Sequence, residues 1–353
     1  MKLIEFIKSN KNWKELLKTD PYNLMIKEEG NFILLKYNQI KSDFSNPIVK
    51  ESRGIILDTD FNIVCNPFQK FFNYAEGNAA KINWHYAKVQ EKIDGSIIKL
   101  WYSKGAWIVS TNGAINAHTA PASINSKNTF GALFNIAIIN QDLDLGALNT
   151  EYTYIFELVS PYNQVVVRHE EIEIYHLGTK HNKTGKEKNV DIGIQKPKEY
   201  TCETLQELIK MAEALPYNEE GYVVVDDEWN RIKVKSPAYV AVHHLKTSYS
   251  EKNLLTLIRN GEDDEFLSYF PEYKEDHNKL KQLYQKLISV LNTEHNQMST
   301  MQFENKKDFA ERFAKTTTIP GLFFNLFDGR ISSIIEGIDS MRTEKVLDKL
   351  NGV

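Results

Sequence analysis

The 353-residue chain is 42% hydrophobic and 25% charged with a formal net charge of −4, which accommodates two domains with their own cores and excludes a disordered or fibrous chain. A net negative chain does not coat nucleic acid nonspecifically, since that binding rests on many Lys and Arg contacts to phosphate, so any nucleic-acid surface must be local. Two cysteines, Cys65 and Cys202, are too few and too far apart for a disulfide framework or a tetrahedral zinc site, and suit the reducing cytoplasm.

The first 17 residues place Leu3, Ile4, Ile7, Trp13, Leu16 and Leu17 at helical spacing among lysines. This predicts an amphipathic opening helix; no uncharged run approaches membrane-spanning length, so neither a signal nor a membrane partner is expected. From residue 31 to 246, short β-rich runs bounded by Gly, Asn, Asp or Pro predict strands at 32–37, 54–57, 97–102, 107–110, 152–158, 164–167, 172–177, 222–225 and 231–234. Many alternate apolar and polar residues, the signature of antiparallel sheets with one packed face. Helices are expected at 120–140 and 202–214. Beyond 246 the period changes: Leu280, Leu283, Tyr284, Leu287, Ile288 and Leu291 fall at offsets of three and four, on one helix face. Further helices are expected at 306–314 and 331–350, separated by the Pro320-Gly321 breaker. The expected class is α+β, with antiparallel sheets flanked by helices over 1–246 and an all-helical domain over 247–353.

Glu91-Lys92-Ile93-Asp94-Gly95-Ser96 sits directly before the run at 97–102. Alone it reads as a surface turn, because Asp-Gly is a favoured hairpin dipeptide. Downstream, Glu219-Glu220-Gly221-Tyr222-Val223-Val224 opens a strand, and Arg231-Ile232-Lys233-Val234-Lys235 forms the next one. A period of two puts Lys233 and Lys235 on one face, where two ammonium groups repel unless an anion lies over them. A polyphosphate would supply that charge. A lone K-x-K is more often a solvated strand face; beside the two preceding motifs, in this order, it points to a site.

K-x-D-G, E-G-x-V and K-x-K in this order resemble motifs I, IV and V of the covalent nucleotidyltransferases, the superfamily of ATP-dependent DNA ligases, RNA ligases and mRNA capping enzymes. Ser52-Arg53-Gly54-Ile55-Ile56-Leu57-Asp58, Pro67-Phe68-Gln69-Lys70-Phe71-Phe72-Asn73 and Tyr154-Ile155-Phe156-Glu157-Leu158-Val159-Ser160-Pro161 narrow the resemblance to the T-even bacteriophage RNA ligase 1 family, over residues 30–246. The resemblance implies a nucleotidyltransferase (ATP-grasp-like ligase) domain at 1–246, ATP and Mg²⁺ as cofactors with Mn²⁺ able to substitute, and an RNA partner with 5′-phosphate and 3′-hydroxyl ends.

It also implies roles. Lys92 would be the nucleophile that captures AMP, with Glu157, Glu220, Lys233 and Lys235 as the other catalytic residues. Arg53 and Lys70 would reach the β- and γ-phosphates or the RNA phosphate, and Glu91, Asp94 and Gly95 complete the nucleotide-binding set. Phe72 or Phe156 would stack on adenine unless their rings are core, and Tyr239 is a phosphate-side candidate. The metal contacts would be Glu220 and Glu157 or Asp94; Glu157 would accept a ribose hydroxyl proton if it does not serve the metal. A free lysine titrates near about 10.4, so Lys233 and Lys235 are expected to disfavour a further charge on Lys92. One position departs from the pattern: Asn112, before Gly113, stands where relatives commonly carry a basic residue.

Three rival readings keep part of this case: a ligase for nicks in duplexes, a capping guanylyltransferase, and a noncatalytic RNA-binding protein. The dense basic cluster Lys180, His181, Lys183, Lys186 and Lys188 reads as a solvated loop more readily than as an RNA path. In relatives the helical domain helps select a broken tRNA anticodon loop, which implies RNA repair by a cytoplasmic monomer, in the host cell if the source is a bacteriophage. A packing scaffold is the other reading of that domain.

Overall fold

The computed structural model describes residues 1–123, 126–245, 250–269 and 271–350. Two compact units are distinguished, Met1–His243 and His244–Val353; the boundary expected at 246/247 lies outside the described residues.

The opening segment of the first unit is two helices, Lys2–Ser9 and Trp13–Lys18, not one. Asn10 takes an extended backbone and its side-chain amide donates to Phe6 O at 2.8 Å, which ends the first helix. Leu3, Ile7, Trp13 and Leu17 are buried with Leu24, Leu35, Ile55 and Leu57 of an antiparallel sheet. That sheet is β1 (Leu24–Glu29), β2 (Phe32–Tyr37), β3 (Arg53–Asp58) and β4 (Ile63–Cys65), in chain order.

The remaining strands are β5 (Phe72–Asn73), β6 (Lys88–Glu91), β7 (Ser96–Ser103), β8 (Ala106–Thr111), β9 (Tyr152–Val159), β10 (Glu173–His181), β11 (Glu187–Lys188), β12 (Glu199–Tyr200), β13 (Gly221–Val225) and β14 (Arg231–Lys235). They form two five-stranded sheets, β11-β10-β9-β7-β8 and β12-β6-β13-β14-β5. All pairs are antiparallel except β14 with β5. Ile98, Leu100, Tyr154, Phe156 and Leu158 pack against the helix Phe130–Asn140. Val89, Tyr222, Val224, Ile232 and Val234 pack against the helix Leu205–Glu213. Each sheet thus buries one face under a helix, the arrangement that alternating strands require.

Two further expected elements of this unit differ. Residues 164–167 are not a strand, because the N–H groups of Val166 and Val167 donate to the Asp94 carboxylate and not to a ladder. The helix expected at 120–140 starts only at Phe130, where the Thr129 hydroxyl caps Ala132 N–H; residues 124–125 of that prediction lie outside the described residues.

In the second unit the helix Lys274–Ser299 buries Leu280, Tyr284, Leu287, Ile288 and Leu291, on the face that the sequence spacing indicates. Phe309 stacks on Phe327 with ring centroids 4.3 Å apart. The stretch expected at 331–350 is two helices, Ile334–Asp339 and Thr343–Leu350. Among the described residues no helix is long and apolar enough to cross a membrane.

Candidate active site

Lys92 lies where the chain leaves one five-stranded sheet for the other. β6 ends at Glu91, whose N–H donates to Lys198 O, and Lys92 N–H donates to Gly221 O at 2.9 Å. Gly95 then brings the chain against β9 before Ser96 pairs with Leu158. A Cβ on Gly95 would stand 2.5 Å from Leu158 O and 3.0 Å from Glu157 Cγ, so only glycine permits this approach.

A carboxylate holds the lysine. Lys92 Nζ lies 2.6 Å from Glu220 Oε2, and Lys235 Nζ lies 3.0 Å from Glu220 Oε1. Gly221 makes this possible: at φ +133° its missing Cβ would lie 2.3 Å from Val234 O, so β13 begins hard against β14 and Glu220 is drawn to Lys235. Burial pushes the Glu220 carboxyl up, but Lys92 and Lys235 outweigh it and the net shift is downward. Glu220 thus bridges Lys92 and Lys235.

Glu157 is the second carboxylate of the site. Burial pushes it up to about 8, with Glu220 and Asp94 adding to the rise and Lys92 and Arg53 opposing it. β9 alternates, so Glu157 shares a face with its partner Ile97, whereas Phe156 pairs with Ile98 on the other. Phe156 is fully buried against Phe134 and His176. It is core, and the adenine-stacking role is corrected for that residue.

Asp94 is engaged at both oxygens. Oδ2 accepts from Val166 and Val167 N–H at 2.9 and 2.7 Å, and Oδ1 accepts from Tyr239 Oη at 2.8 Å. Tyr239 is 2% exposed, and its hydroxyl supports Asp94. Among the described residues no group of three His, Cys, Asp or Glu side chains is placed to hold a metal; Glu157, Glu220 and Asp94 do not form a three-ligand cage.

Of the outer candidates, Arg53 opens β3, Lys70 precedes β5, Phe72 opens β5, and Lys233 and Lys235 lie on β14. Arg53 donates to Gln69 O and lies over the Phe71 ring. Lys70 Nζ sits between the rings of Tyr37, Phe44 and Phe72, each within 5.6 Å, a cation–π cage. Phe72, only 4% exposed, is one wall of that cage. Lys233 and Lys235 alternate with buried Ile232 and Val234 along β14, as the period of two requires.

A family model described as RNA ligase matches residues 51–239, more than half of the chain and a span from Arg53 to Tyr239 that holds every residue proposed for the site. The chain belongs to this RNA ligase family. A protein of Autographa californica nuclear polyhedrosis virus, named for polynucleotide kinase and RNA ligase, is 32% identical over 72% of this chain and 40% of that protein. The chain thus spans well under half the length of that relative. An RNA ligase of Rhodothermus phage RM378 is 26% identical over 82% of this chain and 83% of that one. The solved structures that resemble the chain include an archaeal ATP-dependent RNA ligase, at TM-score 0.47 and 12% identity over 79% of this chain and 78% of that one.

In this RNA ligase family member, some of what shapes the site lies outside the motifs. Lys99 is fully buried and donates to Gly54 O at 2.5 Å; burial brings it down to about 8, with Arg53 and Lys36 adding to the fall and Cys65 opposing it. A Cβ on Gly54 would stand 2.9 Å from Lys99 Nζ and 2.7 Å from Asn112 O, and one on Gly113 would stand 3.7 Å from Lys36 Nζ. The positive charge that Asn112 lacks is thus present around it, on β7 and β2. Lys99 carried a sequence signal, a lysine in the middle of an apolar strand two residues after Ile97 on the Glu157 face. His169, whose Nε2 lies 3.0 Å from Asp94 O, and the Val166–Val167 amides carried none.

Proposed function

We propose that the chain is an ATP-dependent RNA ligase that joins 5′-phosphate and 3′-hydroxyl ends through AMP bound to Lys92. The observation that carries this reading is the ion-paired Lys92–Glu220–Lys235 set at the junction of two sheets, beside the buried Glu157. A lysine 21% exposed and held at one atom by a carboxylate is oriented as a nucleophile must be.

In the first step the Lys92 ammonium loses a proton along its bond to Glu220 and on to solvent. The amine attacks the α-phosphorus of ATP; the N–P bond forms as the bond to the β-phosphate bridging oxygen breaks, pyrophosphate leaves and the nitrogen sheds a second proton. An oxygen of the RNA 5′-phosphate then displaces Lys92, which regains its protons. The 3′-hydroxyl of the other end then attacks that activated phosphate and gives up its proton to solvent; the new O–P bond forms as the anhydride bond to AMP breaks, and AMP departs. All three are displacements at phosphorus, which need alignment and charge neutralisation above all. Lys233, Lys235, Arg53 and Lys70 supply that charge from the protein.

Mg²⁺, or Mn²⁺ in its place, would add charge neutralisation on the polyphosphate, held by Glu220 or Glu157. A hard cation of this kind binds through one or two carboxylates plus phosphate oxygens and water. Asp94, whose oxygens accept from the backbone amides of Val166 and Val167 and from the buried Tyr239 hydroxyl, is assigned to positioning; Glu220 would take the metal only on releasing Lys92 or Lys235 to the phosphates. Residues 1–246 are assigned the adenylyl transfer and 247–353 the selection of RNA, a cleaved tRNA loop included.

The test is incubation with labelled ATP or GTP and divalent metal, followed by peptide mass spectrometry. AMP on Lys92, from ATP alone, is expected; an adduct on another side chain, or none, overturns the reading. Joining assays on an open single strand, a nicked duplex and a cleaved tRNA stem-loop then rank the substrates.

A further inference from the structure

We propose that a cationic cleft at the Arg231 end of β14 seats the single-stranded RNA end to be joined, with phosphates on Lys50 and Lys186 and a base against Trp229. The proposal rests on the ligase reading above and assigns a substrate path to the same site. The cleft encloses about 700 Å³, within the range of ligand sites. Its walls include Lys70 and Phe72 of the candidate site and Arg231 of β14. Lys235 lies four residues further along that strand, roughly 13 Å at the rise of an extended chain.

Charge is the first argument. Five cations line the cleft, Lys50, Lys70, Lys180, Lys186 and Arg231, against the two carboxylates Glu187 and Glu228, an excess of three in a chain whose net charge is −4. Glu187 is committed to Arg231 at 2.6 Å. Lys180, expected from the sequence to be a solvated loop residue, is 4% exposed and donates to Pro67 O; its charge lies in the floor. A polyanion lying over this wall relieves the repulsion among these groups.

Trp229 is the second argument. It sits at the β13–β14 turn at φ +65°, a conformation that a bulky side chain rarely adopts, yet its residue is 37% exposed. The turn is tied down around it: Asp226 accepts from the N–H groups of Glu228, Asn230 and Asn83 and from the Asn230 side chain. Strain kept by such a frame marks a function, and an exposed indole beside cations is a stacking platform for a base. The polyphosphate of ATP carries no base at the end remote from Lys92, so a second nucleotide chain suits this wall better.

The test uses the full chain with Trp229→Ala and, separately, Lys50→Ala combined with Lys186→Ala. Two quantities are read: AMP adduct from ATP without RNA, and anisotropy of a 5′-phosphorylated single-stranded oligoribonucleotide across a salt series. Adduct formation should match the parent protein, since none of the three side chains lies at Lys92. RNA affinity should fall roughly tenfold or more for the tryptophan variant. The salt slope of the lysine variant should flatten by about 0.7 for each phosphate that no longer meets a lysine. RNA affinity and slope equal to the parent's in both variants would overturn the proposal. Loss of adduct with RNA binding intact would assign the cleft to the polyphosphate of ATP, and also overturns it. A parent protein that forms no AMP adduct sinks the ligase reading instead, while the anisotropy series still decides the cleft.

Discussion

Lys92 Nζ lies 2.6 Å from Glu220 Oε2, so the proposed nucleophile is bonded to a carboxylate and not merely surrounded by cations. Lys235 closes on the other oxygen of the same group. One carboxylate therefore sets the position of two amines from different strands. Removing it changes charge balance and geometry together.

Glu220→Gln leaves the two partly buried ammonium groups facing an amide. Breaking a buried pair costs about 3–5 kcal/mol, and the 21% and 15% exposure of the lysines reduces this to roughly 2–3 kcal/mol by solvent screening. The urea midpoint should drop and the AMP adduct should be lost. Adding Lys235→Met should restore most of the midpoint without restoring the adduct. A single variant as stable as the parent contradicts the bridged geometry.

Glu157 gives a pH dependence of definite sign. Its folded-state value is raised, from 4.5 to about 8, chiefly by burial. The unfolded chain releases this proton near the lower value while the folded chain keeps it. Stability is therefore full below 4.5 and declines by up to about 1.4 kcal/mol per pH unit until the folded group ionises. Glu157→Gln removes that decline. In nucleotide-free protein, the variant's denaturant midpoint relative to the parent's should rise steadily with pH across this window, and curves that stay parallel throughout would refute the burial argument.

Tyr239 and Asp94 separate support from phosphate contact. Tyr239→Phe removes one hydrogen bond to a carboxylate, worth about 1.5–3 kcal/mol, and should leave the yield of AMP adduct at its parental value. Asp94→Ala strands the Tyr239 hydroxyl and the Val166 and Val167 amides, and should destabilise by about 3 kcal/mol or more. A Tyr239→Phe protein of normal stability with a reduced rate of adenylylation would return the hydroxyl to the phosphate side.

Gly95→Ala should slow adenylylation more than it destabilises. The added carbon meets Leu158 O at 2.5 Å, and relief requires β9, with Glu157, to move from Lys92. Overpacking of this kind costs about 1–3 kcal/mol, while the displacement acts directly on the nucleophile. Gly321→Ala, in the helix Pro320–Phe327 where nothing lies within 4 Å and the backbone is outside the positive-φ region, serves as the control. Equal adduct rates in the two variants would exclude the close-approach role of Gly95.

Local pattern carried a large part of the fold. The period of two along 231–235 puts Lys233 and Lys235 on one face and Ile232 and Val234 in the core, and β14 has that alternation. The same rule, applied to 154–158, places Phe156 opposite Glu157, so the burial of that ring is legible from spacing and outweighs the nucleotide role that the motif suggests. The run at 164–167 has the composition of a strand, yet its amides serve Asp94, a partner 72 residues away for Val166. Asn10 and Thr129 move helix ends because side-chain caps compete locally with the helix in a way that apolar periodicity does not register.

By itself, the order of residues determined the strand faces, the helical face of 280–291, and which lysine stands two residues before the Asp94-Gly95 pair, because these follow from bonds and spacings a few residues long. Tertiary structure alone decided that Glu220 lies between Lys92 and Lys235, that Tyr239 turns to Asp94, and that Lys180 is buried. Such pairings join segments separated by tens of residues or more, and the sheet order that brings them together is fixed by packing of whole faces rather than by any local preference.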